Sequence, residues 1–170
     1  MNILYIHGLN GSLSAEKRTI LENYGTVYSP SINYETDENS VENLKLEFQD
    51  KDINVVIGSS MGGFVGYHLS IAFERPALLF NPALVYRSVF QNVPYYNNPH
   101  HSYNKIVLGG KDEVVDPKNT LIFIADRINK NTDYQISLRQ DLAHRIPLDI
   151  FKEEVTSFFK DYVFKNSMGS

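Results

Sequence analysis

Three side chains in this sequence have the types and the order needed to activate a hydroxyl group: Ser60, Asp112 and His144. Ser60 is the centre of Gly58-Ser59-Ser60-Met61-Gly62, a Gly-x-Ser-x-Gly pentapeptide that closes the run Ile53-Asn54-Val55-Val56-Ile57. A serine so placed sits on a sharp strand-to-helix turn. Glycines flank it because a Cβ at either position would crowd the adjoining strand or helix. Three fixed positions recur by chance in roughly one chain in twenty of this length, so the flanks carry the reading. A β-branched run leads in, and Phe64-Val65-Gly66-Tyr67-His68-Leu69-Ser70-Ile71-Ala72-Phe73 leads out as a buried helix would. The plain alternative is a Gly-rich turn without chemistry.

A serine hydroxyl is a poor nucleophile until a base takes its proton. Of the five histidines, His7 stands with Gly8 in a loop after the first expected strand. His68 falls about two helical turns beyond Ser60, too far along the same helix to reach back. His100 and His101 belong to an aromatic, polar stretch. His144 lies between the last expected strand and the last helix, where an imidazole can hang over the carboxyl edge of a sheet, and is the expected base. The expected acid is Asp112, just past the strand that ends at Gly109. Asp116, directly before Pro117, has a sufficient role as a helix N-cap. Glu113 is a weaker substitute, and Asp141 is too near His144 in one loop to orient it from the far side. The order Ser60, Asp112, His144 is that of α/β-hydrolases rather than of other serine hydrolases.

Charge developing on a carbonyl oxygen needs donors. The Met61 N–H is one candidate and the Leu9 N–H, in His7-Gly8-Leu9-Asn10-Gly11-Ser12, is the other; a Gly-rich turn without a catalytic role is the alternative for that loop. Asn10, Tyr86 and Phe90 are the expected substrate contacts.

Short apolar runs alternate with amphipathic stretches, the pattern of a mainly parallel sheet with helices on both faces. Strands are expected over 2–6, 26–29, 54–58, 76–80 and 105–109, with a sixth over 134–138. Helices are expected over 14–24, capped by Ser14 and ended by Gly25, and over 40–49, with Val41, Leu44 and Phe48 on one face. A further helix starts at Asp116-Pro117 and carries Leu121, Ile124, Ala125 and Ile128 at core spacing. The last begins near Pro147 and presents Phe151, Val155, Phe158, Phe159 and Tyr162. The stretch 83–103 holds five aromatic residues without periodicity and follows a strand end, where ligands bind in open α/β sheets. It reads equally as a short cap and as a surface helix plus loop.

The 170 residues form one domain, expected over 1–165, with 166–170 a disordered or non-native tail. A formal charge of −4 gives no electrostatic reason to expect nucleic acid or an anionic membrane as partner. The absence of Cys removes disulfides and thiolate clusters. Residues 1–13 hold no signal-peptide core, so a cytoplasmic location is expected. Gly109-Gly110-Lys111-Asp112 lacks the upstream Gly and the following Ser or Thr of a phosphate-binding loop. His100-His101 lacks the spacing of a metal site. Neither a cofactor nor a metal is expected.

His7-Gly8-Leu9-Asn10-Gly11-Ser12, Gly58-Ser59-Ser60-Met61-Gly62-Gly63, Asn81-Pro82-Ala83 and Asp112-Glu113-Val114-Val115-Asp116 resemble the YqiA-like family of short bacterial α/β-hydrolases. The resemblance runs over almost the whole chain. It implies a trimmed α/β-hydrolase fold, esterase activity on small acyl esters, and Ser60, Asp112 and His144 as the triad. The family's Gly-rich lead into its histidine is here Asp141-Leu142-Ala143. The expected function is therefore a serine hydrolase that cleaves small carboxylic esters or thioesters through an acyl-enzyme on Ser60. A non-catalytic small-molecule-binding protein on the same scaffold is the alternative.

Overall fold

Alternation of buried side chains along each strand requires cover on both faces of the sheet. In β1 (Asn2–Ile6), Ile3 and Tyr5 point to one side and Leu4 and Ile6 to the other, all buried. A computed structural model describes residues 1–96, 102–128 and 133–168, with 163–168 described by backbone alone. It contains five more strands: β2 (Thr26–Tyr28), β3 (Val55–Ser59), β4 (Ala77–Phe80), β5 (Asn104–Gly109) and β6 (Tyr134–Arg139). All six pair in parallel, in the order β2-β1-β3-β4-β5-β6.

The helices are α1 (Ala15–Glu22), α2 (Ser40–Phe48), α3 (Met61–Phe73), α4 (Pro117–Ala125) and α5 (Leu148–Met168). Leu21 of α1 and Phe151, Val155 and Phe158 of α5 pack against Ile3, Val55, Ile57 and Leu78 on one face. On the other face, α2, α3 and α4 bury Val41, Leu44, Phe64, Val65 and Ile124 against Leu4, Val56 and Leu79. Parallel strands buried on both sides read as continuous apolar runs, which is why β1, β3 and β4 were legible.

Two caps are where the sequence places them. The Ser14 hydroxyl accepts from the Lys17 N–H at 3.3 Å, and the Asp116 carboxylate accepts from the Lys118 N–H at 2.9 Å ahead of Pro117. Boundaries differ at the far ends. α1 stops at Glu22, and α4 stops at Ala125, so Ala125 and Ile128 are exposed rather than in the core. α4 presents only a narrow stripe to the sheet, with Thr120 and Ile124 buried. The helical backbone of α5 continues past residue 165 to Met168.

The described part of the stretch 83–103 contains neither helix nor strand. It is tied down by side chains instead: Gln91 donates to the carbonyls of Tyr34 and Asp37, at 3.1 and 2.7 Å, and the Tyr96 hydroxyl donates to the His68 carbonyl at 2.9 Å. His100 and His101 lie outside the described residues. Under the sheet, Lys105 of β5 meets Glu154 of α5 at 2.9 Å with both side chains nearly sealed from water, and Arg139 of β6 reaches the same carboxylate at 2.9 Å. Breaking such a pair from one side strands a buried charge, so it fixes how α5 lies across β5 and β6. Among the described residues no helix is long and apolar enough to cross a membrane.

Candidate active site

β1 and β3 are neighbours whose onward connections run in opposite directions, to β2 on one side and to β4 on the other. A crevice opens at the carboxyl ends of such a strand pair. The loop after β1 and the turn after β3 both lie there.

Ser60 occupies that turn with φ 56° and ψ −118°. A positive φ on a residue with a Cβ costs of order 1–3 kcal/mol and persists only where its surroundings hold it. Here the Ser60 N–H donates to the Phe80 carbonyl at 3.0 Å, while the Ser60 carbonyl accepts from the N–H groups of Gly63, Phe64 and Ala83 at 2.9, 3.1 and 3.1 Å. The flanking glycines are obligatory for space. A Cβ on Gly58 would lie 2.1 Å from the Gly62 carbonyl oxygen, and one on Gly62 would lie 2.1 Å from the Ile6 carbonyl oxygen.

The loop after β1 is held by His7, which is buried. Its Nε2 accepts from the Ile32 N–H at 3.0 Å, which puts the ring proton on Nδ1, and Nδ1 donates to the Gly8 carbonyl at 2.7 Å. The Tyr34 hydroxyl donates to the His7 carbonyl at 2.7 Å, and the Gly11 N–H donates to the Gly8 carbonyl at 3.0 Å. A side chain on Gly8 would come within 3.3 Å of Ser60 Cβ, so the loop passes directly beside the serine. Neither the Leu9 nor the Met61 N–H is committed to a backbone acceptor among the described residues.

Asp112 follows β5 and His144 follows β6. The Asp112 side chain is fully buried, and its Oδ1 accepts from the N–H groups of Val114 and Val115 at 2.8 and 2.9 Å. His144 Nδ1 lies 3.0 and 2.9 Å from the two Asp112 oxygens. The competing acids are elsewhere: Glu113 is exposed, Asp116 caps α4, and Asp141 is held by Arg139 through two bonds of 3.0 and 2.9 Å.

Ser60 and His144 line one cleft of about 840 Å³, together with Leu9, Asn10, Met61 and Tyr86. They share the cleft rather than a hydrogen bond: both bonds of the His144 ring are made by Nδ1, to Asp112, and Nε2 is not bonded to Ser60. Phe90 is a correction: it is 65% exposed and does not line the cleft. With no regular element between 83 and 96 to aim it, its aromatic character alone was a poor guide.

One residue at this edge was assigned no role from the sequence. Asn81, buried at the end of β4 with φ 43°, donates to the carbonyls of Ala143 and His144 at 2.9 and 3.2 Å and accepts from the Gly109 N–H at 2.7 Å. It links the loop carrying His144 to the strand that ends before Asp112. No group of three or more His, Cys, Asp or Glu side chains suited to a metal ion occurs among the described residues.

The model of an uncharacterised protein family, UPF0227, matches residues 2–108. Among solved structures, alpha/beta hydrolase domain-containing protein 10 from mouse is similar with a TM-score of 0.71 at 16% identity, over 96% of this chain and 90% of that one. SOBER1 of Arabidopsis thaliana gives 0.70 at 16% identity, over 96% and 99%. A carboxylesterase of Bacillus cereus gives 0.63 at 14% identity, over 93% and 87%. The shared architecture is the α/β-hydrolase fold.

Proposed function

The chain belongs to the uncharacterised protein family UPF0227, and from that premise and the geometry of its cleft we propose that it is a serine hydrolase acting on small carboxylic esters or thioesters. The observation that carries this reading is the pair of bonds from His144 Nδ1 to the buried carboxylate of Asp112, in a ring that lines the same cleft as Ser60. A carboxylate on Nδ1 keeps the proton there and leaves Nε2 as the base.

In this mechanism Ser60 Oγ attacks the carbonyl carbon while His144 Nε2 takes its proton. The oxyanion is met by the N–H groups of Leu9 and Met61, the second at the positive end of α3. The imidazolium, stabilised by Asp112, then protonates the departing alcohol or thiol. Water, deprotonated by His144, releases the acid from the Ser60 ester. Asn10 and Tyr86 stand at the cleft wall, where they would meet substrate. Esterases and hydrolases among the structural neighbours support the reaction class.

Wild-type protein should hydrolyse p-nitrophenyl butyrate and be labelled by a fluorophosphonate, and Ser60→Ala should do neither. Turnover and labelling that survive in Ser60→Ala would overturn the assignment. Binding of acyl compounds without turnover or labelling would carry the alternative, a non-catalytic binding protein on this scaffold.

A further inference from the structure

On the side of α3 away from the sheet lies a second pocket, of about 350 Å³, whose walls include Phe64, His68, Ile71, Tyr95, Tyr96 and Phe123. That volume is at the lower end of the range for small-molecule sites. Arg87 and Arg127 also line it, and none of the described lining residues is acidic.

Two buried side-chain polar atoms without a hydrogen-bond partner stand out among the described residues: His68 Nδ1 and Arg87 Nε. Both belong to residues that line this pocket. Buried polar groups are paired in the great majority of cases, so two orphans at one place call for a local reason. His68 is only 6% exposed. Burial, then the positive charges of Arg87 and Arg127, push its pKa down to about 4, so the ring is neutral near pH 7. An orphaned N–H is rarer than an orphaned acceptor. The enclosed Nδ1 is therefore the bare nitrogen, and the proton sits on Nε2 as a donor.

Arg87 forms no ion pair with any described carboxylate. Its guanidinium lies 4.2 Å over the Phe64 ring, and its Nη1 donates to the Leu84 carbonyl at 3.0 Å. The Arg127 guanidinium lies 3.6 Å over the Phe123 ring. With Nη1 on the Leu84 carbonyl and Nε enclosed, Arg87 presents Nη2 as its donor to an anion, and a carboxylate can accept from it. Aromatic walls, the Arg87 cation, a neutral imidazole donor and the lack of an acid among the described lining residues together specify the chemistry of an occupant.

We infer that this pocket binds a small aryl carboxylate, with its ring against Tyr96 and Phe123 and its carboxylate on the guanidinium of Arg87 beside the imidazole of His68. The site is separate from the ester chemistry of Ser60, although Arg87 also borders the Ser60 cleft.

The test is a titration of the intact protein with 3-phenylpropionate, followed by calorimetry and by the NMR signals of the histidine rings. Saturable binding with a Kd of about 1 mM or tighter is expected, with the His68 ring signals moving. 3-Phenylpropionamide should bind wild-type protein at least about tenfold more weakly, and Arg87→Gln should weaken the acid by a similar factor. Ser60→Ala should bind the acid as wild type does, which separates this site from the proposed catalytic reading. The amide comparison needs no variant and holds even if Arg87→Gln folds poorly. Absence of saturation, equal binding of acid and amide, displacement by equimolar inorganic phosphate, or signal changes confined to His144 would each overturn the inference.

Discussion

The Asp112 carboxylate is held by groups other than His144, because the Val114 and Val115 N–H groups fix Oδ1 and burial excludes water from the side chain. Replacing it by Asn would set an amide N–H₂ against the imidazole or turn the ring to its other tautomer, with the proton on Nε2 where the base should be bare. Asp112→Asn should therefore lower kcat on p-nitrophenyl butyrate by about 10³- to 10⁴-fold. Glu113→Gln should change it little, since Glu113 is exposed and has no bond to the ring. Steady-state kinetics on the two variants checks both, and a near-wild-type rate for Asp112→Asn would move the acid role elsewhere. At this scale position was legible where a residue lies at a strand end, since Ser60, Asp112 and His144 follow β3, β5 and β6. It was unreadable for Phe90, where an aromatic residue in an irregular segment has no period to say which way it faces.

At the scale of elements, the cleft lies at the ends of β1 and of β3 to β6, brought into register. Parallel pairing puts Ser59 level with Phe80, Phe80 level with Val107, and Gly109 level with Arg139. The loops after β3, β4, β5 and β6 thus emerge along one edge, and Asn81 ties the second of these to the third and fourth. Asn81→Ala removes both donors to the His144 loop and the acceptor for the Gly109 N–H. Asn81→Asp keeps the acceptor and loses the donors. Both should reduce kcat by about 10- to 100-fold, in line with the cost of a small misplacement of a catalytic group, while KM stays near the wild-type value because Asn81 does not line the cleft. A rise in KM with kcat intact would instead make Asn81 part of the binding surface. The central strands β1, β3 and β4 were legible because each is an apolar run of the length a buried parallel strand needs, whereas the edge strand β6 reads as an alternating one. The bridging role of Asn81 was not, because it depends on which strand lies beside which, and local pattern carries no strand order. The same limit hid the histidines' roles: His7 binds Ile32 from another segment, and His68 is enclosed by the 83–96 stretch.

For the whole molecule, the buried His68 makes stability depend on acid. Its folded pKa of about 4 lies below the roughly 6.5 of an exposed imidazole, so the unfolded chain binds a proton at a pH where the folded chain does not. Stability contributed by keeping this ring neutral is complete above about pH 6.5 and is lost as the pH falls towards 4, because the unfolded state there gains protonation free energy that the native state forgoes. The burial that depresses the pKa comes from α3 and the stretch that Tyr96 anchors, and the opposing charges come from Arg87 and from Arg127 beyond the end of α4. By this linkage the loss should reach about 2 kcal/mol at pH 4.5. The measurement is a difference, so that contributions from every other group cancel. Urea unfolding of wild type and of His68→Gln, each at pH 7 and at pH 4.5, isolates the imidazole, because glutamine carries no proton to exchange. Wild type should lose about 2 kcal/mol more than His68→Gln between the two pH values, whatever the absolute cost of the substitution at pH 7. Equal losses in the two proteins would mean that His68 is protonated in the folded state at pH 4.5, and that the wall of the second pocket is wetter than its geometry implies.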